Sequence, residues 1–408
     1  MVLTINESRF LKNFATSSSI GGTKNNGLHR LTLTEEDKQM RDVYIRWLEE
    51  ANLEVRIDDF GNIYARREGK KKNAPAVTFG SHLDSQFYGG RFDGVLGVLA
   101  GLEVMETLND HQIVTDYPLE LINFTNEEGA RFNPPILGSG AVTGKFSKEY
   151  VYNLQDENGV RFEDALIHIG YKGEEENRLK DAKCFVELHI EQGPILDNEN
   201  KDIGIVLGLQ GLTRLNVDVY GFTNHAGGAR MQDRQDALLA ASHMIIAVNK
   251  MTEEIKDLRI TVGKIHNYPN SINVIPGKVE FVIDIRHPED AIKNKSVTLI
   301  QERVKQIAKE NNVTCETYVD WAYDMVPFDS DVLEKVRESV KELHYTSLDL
   351  YGGPGHDAKY MSTYTPTGLI FVKSINGVSH NENERTEDED LIKGANVLLH
   401  TVLKLATD

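Results

Sequence analysis

An α/β fold interrupted by a smaller inserted domain is what this sequence predicts, and three observations carry the prediction. Apolar runs of strand length alternate with helical periodicity near both ends of the chain. A middle stretch, residues 209–324, follows a different order, βαββαβ, and α/β patterning resumes after it. The economical division is a discontinuous larger domain, 1–208 with 325–408, around an insertion at 209–324. The chain has 408 residues with 40% hydrophobic content, enough for two to three domains at roughly 100–200 residues each.

In chain order, Ala76-Val77-Thr78-Phe79 is the first strand-like run. Val95, Val98, Leu99, Leu102 and Met105 then recur at three- and four-residue steps, which places one apolar face on a helix over 94–108. The runs from Leu119 to Phe124 and from Cys184 to Ile190 have strand length and strand-forming residues, as does the run from Gly368 to Val372. Leu391, Ala395, Leu398, Val402 and Leu403 share one face of a terminal helix over 390–406. In the insertion, Leu215, Val217 and Val219 alternate with polar neighbours. Ala237, Leu238, Ala241, Met244, Ile245 and Val248 form a helical stripe. Strands follow at 259–265 and 278–286, joined through a loop containing Pro269 and Pro276. A helix over 289–310 and a strand over 313–320 complete the order. This is the split-βαβ, ferredoxin-like pattern.

Composition narrows the partners. Lys and Arg number 45 against 63 Asp and Glu, a formal charge of −18, and no block of six basic residues relieves it. Such a surface repels polyanions, so neither nucleic acid nor an anionic membrane is an expected partner. The N-terminus lacks a basic region followed by an apolar one, and no run of 18 apolar residues occurs. With only Cys184 and Cys315 present, the expectation is a cytoplasmic protein without structural disulfides.

Chemistry-bearing residues collect where strands end. The first strand runs into Gly80-Ser81-His82-Leu83-Asp84 and the second into Asn126-Glu127-Glu128-Gly129. The third carries His189, and the fourth leads to Ser379-His380. The C-terminal edge of a parallel sheet is where α/β proteins bind ligands. Asp93 stands at the start of the first helix, a position that an ordinary cap would also explain. If strand geometry persists, His82 and Asp84 point to one face, and the carboxylate can hold the second imidazole nitrogen. A plain turn is the competing reading of that segment. Glu187, His189 and Glu191 share one strand face, opposite Val186, Leu188 and Ile190. Adjacent carboxylates at Glu127 and Glu128 raise each other's cost of ionisation unless a cation lies nearby. One can bind metal while its neighbour stays free as a base.

Taken together, Gly80-Ser81-His82-Leu83-Asp84-Ser85, Gly89-Gly90-Arg91-Phe92-Asp93-Gly94, Glu127-Glu128-Gly129, His189-Ile190-Glu191-Gln192-Gly193, His225-Ala226-Gly227, Gly355-His356-Asp357-Ala358 and Ser379-His380 resemble the hydantoinase/carbamoylase family of amidases. That family is the branch of the dimetal M20 peptidase superfamily containing N-carbamoyl-L-amino acid hydrolases and allantoate amidohydrolases. The resemblance implies a mostly parallel-sheet, aminopeptidase-like catalytic domain with an inserted lid and dimerisation domain. It implies two divalent metals, Zn or Mn with Co or Ni as alternatives, held by His82, Asp93, Glu128, His189 and His380, with Asp93 bridging. Glu127 becomes the general acid/base and Asp84 the residue that orients His82. His225 becomes an oxyanion donor reaching the site of a partner subunit. Gln192, Arg214, Asn273, Arg286, Gly355 and His356 become substrate contacts. An imidazole at position 189, where the peptidase branches usually carry an acid, favours amidase over dipeptidase.

The chemistry needs these residue types. Ureido and amide carbonyls are poor electrophiles, and a metal lowers the pKa of bound water from 15.7 to about 7, which makes hydroxide available. Two metals roughly 3.5–4 Å apart need a bridging oxygen ligand, which a carboxylate supplies and an imidazole cannot. The expected substrate is a linear ureido or carbamoyl carboxylate, with Arg214 leaning towards an allantoate-like acid, and the expected assembly is a homodimer through the insertion. A dipeptidase or aminoacylase is the enzymatic alternative, and a silent metal- or amino-acid-binding regulator the non-enzymatic one. Ala229-Arg230-Met231, where relatives usually show Thr-Pro-Met, and Pro354 before Gly355 depart from the family pattern.

Overall fold

The computed structural model describes residues 2–407, and among these the chain folds as two compact units. One comprises the residues up to Leu207 and from Pro327 onwards, and the other is Gly208–Val326.

The first unit is built on a mixed sheet whose four central strands are parallel: Leu119–Phe124, Ala76–His82, Ala182–Ile190 and Thr367–Val372, in that spatial order. Leu119–Phe124, Ala76–His82 and Thr367–Val372 are buried along their whole length, because helices cover both faces of a parallel sheet. Antiparallel strands extend the sheet on both sides: Ile63–Arg67 and then Glu54–Ile57 beyond Leu119–Phe124, and Ile203–Leu209 beyond Thr367–Val372.

Helix Val95–Asp110 is buried over most of its surface, having small or apolar residues almost all round. Gly97 lets it lie close to the sheet, since a Cβ there would meet the Leu188 carbonyl oxygen at 2.5 Å. The helix begins one residue later than the sequence predicts, with Gly94 at the N-cap in a left-handed conformation, φ 67°. The terminal helix Asp388–Ala406 buries Leu391, Ala395, Leu398 and Val402 as expected. No helix among the described residues is long and apolar enough to cross a membrane.

A buried ion pair ties the N-terminal segment to the central sheet. Arg41 and Asp37 side chains are 1% and 0% exposed, with Arg41 Nε 2.8 Å from Asp37 Oδ2. The remaining guanidinium nitrogens donate to the Gly61 carbonyl at 2.7 Å and to Thr125 Oγ1 at 3.2 Å. Thr125 follows Phe124 at the end of the second predicted strand, two residues before Glu127. Removing one member of a buried pair strands the other charge, so Arg41→Leu is expected to destabilise the protein by about 3–5 kcal/mol. The urea midpoint of the variant measures this.

The second unit is a four-stranded antiparallel sheet in the order Thr314–Tyr323, Gly211–Tyr220, Lys278–His287, Arg259–Tyr268. Helices Ala237–Glu254 and Asp290–Glu310 pack Ala241, Met244, Val248, Ile300 and Val304 against Leu215, Val217, Val219, Phe281 and Ile283. Residues buried on Lys278–His287 alternate with half-exposed ones, the pattern of a sheet covered on one face. A short ladder between Asn224–His225 and Val274–Ile275, which the periodicity does not predict, pairs His225 with Val274.

Candidate metal centre

The parallel strands of the first unit deliver their C-terminal ends to one edge, and side chains from these four ends and from the start of helix Val95–Asp110 meet there. His82 is the last residue of its strand. Its Nδ1 lies 3.0 Å from the Asp84 carbonyl oxygen and donates to it, which turns Nε2 towards the site. His189 Nδ1 is likewise held, 2.9 Å from the Ile190 carbonyl oxygen, while its Nε2 accepts the Gly94 backbone N–H at 3.1 Å. Both rings are 1% exposed. Their Nε2 atoms converge on one oxygen of Asp93, Oδ1, at 3.5 Å for His82 and 3.0 Å for His189. Gly94 makes this approach possible: a Cβ at that position would fall 2.3 Å from the His82 ring.

The second oxygen of Asp93 faces another group. Oδ2 is 3.4 Å from His380 Nε2, which is itself 3.4 Å from Glu128 Oε2. Donor atoms within 4.8 Å of one another form two triads that share the one carboxylate, His82–Asp93–His189 and Asp93–Glu128–His380, and a third group, Glu187–His189–His356, adjoins the first through His189. Glu127 Oε2 lies 3.5 Å from His82 Nε2 on the same side.

Asp84 is placed differently from the expectation. The strand stops at His82, so the imidazole is held by the backbone carbonyl of Asp84, and the carboxylate is 3.8 Å from Nδ1. The Asp84 oxygens instead accept the backbone N–H groups of Glu127 and Glu128, each at 3.3 Å. Asp84 therefore fixes the turn that carries both glutamates. Asp93 likewise precedes the helix N-cap, leaving its carboxylate to the triads.

Burial drives the Glu127 carboxyl well above its ordinary range; His82 opposes this, while Asp357, Glu128 and Asp93 add to it. Burial, reinforced by Asp93, likewise pushes Glu128 up to about 8. A hydrogen bond to Asp93 raises His380 to about 9. Burial also works against ionised Asp93, but His189 and the bonds from His380 and His82 hold it well below the carboxylate range. Three acids and three imidazoles packed this closely need protons or cations to offset them. The buried His82 Nε2 faces only carboxylate oxygens, Asp93 Oδ1 and Glu127 Oε2, each at 3.5 Å, which is a place for a proton or a cation. Imidazole and carboxylate without thiolate suit a divalent first-row metal, so the residues present fit one.

Of the remaining predicted residues, Gln192 and His356 lie beside the triads. Gln192 Nε2 donates to Asp93 Oδ2 at 2.7 Å and stands 3.3 Å from His380 Nε2. The His356 ring is edge-on to His189 at 4.4 Å, with a buried, unpartnered Nε2, and Gly355 packs near Ile136. His225, Arg214, Asn273 and Arg286 belong to the second unit. His225 Nδ1 accepts the N–H groups of Gly227 and Gly228 at 3.0 and 3.1 Å, so its proton resides on Nε2. The Asn273 carbonyl accepts the Ala226 N–H at 2.9 Å. Arg286 Nε pairs with Asp284 at 2.7 Å, and the Arg214 guanidinium lies over Trp321 at 5.4 Å.

Sequence reasoning missed Gln86 and Glu187. Gln86 gives its backbone N–H and Nε2 to the two oxygens of Glu128, at 3.1 and 3.0 Å. Glu187 accepts Ser81 Oγ at 2.7 Å and the Ala358 N–H at 2.8 Å behind the triads. An acid buried on an otherwise apolar strand was the available signal for Glu187; Gln86 left none.

Fold and site together define a metal-dependent hydrolase of the α/β class. A family model described as peptidase family M20/M25/M40 matches residues 78–404. The chain is 39% identical over 403 residues to the N-carbamoyl-L-amino-acid amidohydrolase of Rhizobium meliloti, covering 98% of this chain and 97% of that protein. It is 33% identical to the allantoate amidohydrolase of Bacillus subtilis, over 95% and 94% of the two chains. The crystal structure of a hydantoinase/carbamoylase family amidase from Burkholderia multivorans superposes with a TM-score of 0.95 at 40% identity, over 100% of this chain and 99% of that one. The chain belongs to peptidase family M20/M25/M40, in its hydantoinase/carbamoylase branch of amidases.

Proposed function

We propose that this protein hydrolyses the terminal C–N bond of a linear ureido or carbamoyl carboxylate, an allantoate-like acid or an N-carbamoyl-L-amino acid, at the shared-carboxylate site. The reading rests chiefly on one observation: Asp93 turns one oxygen to each of two ligand triads, with the Glu127 carboxyl alongside. Relatives named for N-carbamoyl-L-amino acids and for allantoate support the same class of bond. The enzyme is an amidohydrolase acting on non-peptide C–N bonds.

In this reading His82, His189 and Asp93 hold one divalent cation, and Asp93, Glu128 and His380 a second, with Zn or Mn preferred over Co or Ni. Such cations polarise a carbonyl and lower the pKa of water. Glu127 takes a proton from the attacking water and returns it to the nitrogen that leaves, as the C–O bond forms and the C–N bond breaks. Its backbone N–H is fixed by Asp84, which sets the carboxyl beside His82. Gln192 and His356 line the substrate side.

The second unit has the strand order of a ferredoxin-like fold and acts, in this proposal, as lid and dimerisation domain. His225 presents Nε2–H as a ready donor, suited to the carbonyl oxygen of a substrate in a partner subunit's site. Arg286 and Arg214 supply positive charge for the carboxylate, and Asn273 a further polar contact.

A coupled ammonia assay on the Mn²⁺- and Zn²⁺-loaded protein, with allantoate, several N-carbamoyl-L-amino acids and 3-ureidopropionate, tests this beside chromatographic detection of amino acids released from a dipeptide panel. Turnover of ureido acids and none of dipeptides is the expected outcome. Dipeptide cleavage alone would replace the proposal with a peptidase.

A further inference from the structure

Glu384, which neither the motifs nor the proposed chemistry uses, occupies a structural position between the two halves of the second triad. Its side chain is buried, four residues beyond His380. Oε1 accepts the backbone N–H groups of Phe92 and Asp93 at 3.1 and 3.3 Å. Oε2 accepts the hydroxyl of Ser379 at 2.8 Å, and the same hydroxyl lies 3.3 Å from Asp93 Oδ2. The chain closes tightly over this carboxylate: a Cβ on Gly90 would lie 1.9 Å from Oε1. One buried side chain thus fastens the segment carrying Asp93 to the segment carrying His380, residues far apart in sequence.

The two triads differ in how much they need such a fastening. His82 and His189 lie on sheet strands, are fully buried, and have Nδ1 atoms locked by backbone carbonyls. His380 is a loop residue in a left-handed conformation, φ 53°, with a side chain 49% exposed. Its segment is aligned to Asp93 through Ser379 and Glu384. Oδ1 of Asp93, by contrast, is already oriented by the two strand histidines.

We propose that Glu384 is the positioning residue of the Asp93–Glu128–His380 triad, setting the affinity of the cation held there while leaving the His82–Asp93–His189 triad largely unaffected. The inference rests on the metal-binding reading above. It concerns which of two binding steps one residue controls.

The test is titration of metal-stripped full-length protein with Mn²⁺, followed by calorimetry and by elemental analysis after dialysis. Wild type is expected to take up two equivalents. Glu384→Ala is expected to bind the first within about threefold of wild type and the second roughly 10–100-fold more weakly, the usual cost of losing a partner of a metal-binding group. Glu384→Gln, whose amide oxygen can still accept both backbone N–H groups, is expected to recover most of that loss, a rescue that generic destabilisation would not produce. Should Glu384→Ala fail to fold, Ser379→Ala decides the matter, with selective weakening of the second step expected. Two unchanged equivalents in the folded variants, or equal weakening of both steps, would overturn the proposal. A wild type that takes up no Mn²⁺ would remove the metal reading itself, a distinguishable failure.

Discussion

Glu127→Gln is expected to lower kcat by about 10²–10⁴-fold, the range that a positioned general acid/base contributes, while KM and bound metal stay near wild type. The amide keeps the volume of the side chain and removes its ability to take and return a proton. Its backbone anchor on Asp84 does not depend on the side chain, and neither triad includes it, so the turn and the ligands are expected to persist. Burial and the neighbouring acids oppose ionisation of Glu127, and a bound cation reverses that balance. Comparable turnover in the variant would transfer the acid/base role elsewhere, with Asp84 a poor candidate because backbone N–H groups occupy its carboxylate.

Asp93→Ala is expected to abolish activity and binding at both triads together, where loss of His82 or His380 would affect one directly. Only Asp93 contributes an oxygen to each. The same titration carries a pH signature in wild type. In the metal-free protein at pH 7, Glu128, at about 8, and His380, at about 9, both retain protons. A cation needs the ionised carboxylate and the neutral imidazole, so binding releases those protons. Affinity therefore rises as pH increases from 6 and levels off above about 9. Calorimetry in buffers of different ionisation enthalpy counts the protons released. Equal affinity at pH 6 and 9 would contradict the assignment of Glu128 and His380 as ligands.

Much of this arrangement was legible because the physics that writes it is local. A fully buried parallel strand demands a continuous apolar run, which is why the strands ending near His82, Phe124, Ile190 and Val372 stand out. Ligand-type residues just beyond those ends marked the functional edge. The alternation of Val279, Phe281, Ile283 and Ile285 marked a strand over 278–286, and the structure shows it buried on one face. What stayed hidden depends on contacts between distant segments. The N-terminal helices Glu7–Ser19 and Glu35–Glu50 and the antiparallel strands at the sheet edges left no expectation. Glu384 reaches residues nearly three hundred positions away, and no periodicity encodes such a bond. Asp84 was misdirected by assuming that a strand continues past His82; the chain turns, and the carboxylate meets the amides of Glu127 and Glu128 instead.

The most direct measurement is an anomalous difference map from crystals grown with Mn²⁺ or Zn²⁺. Two peaks flanking Asp93 are expected, one toward His82 and His189 and the other toward Glu128 and His380. A map with no peak among these side chains, or with metal bound only elsewhere, would contradict the account.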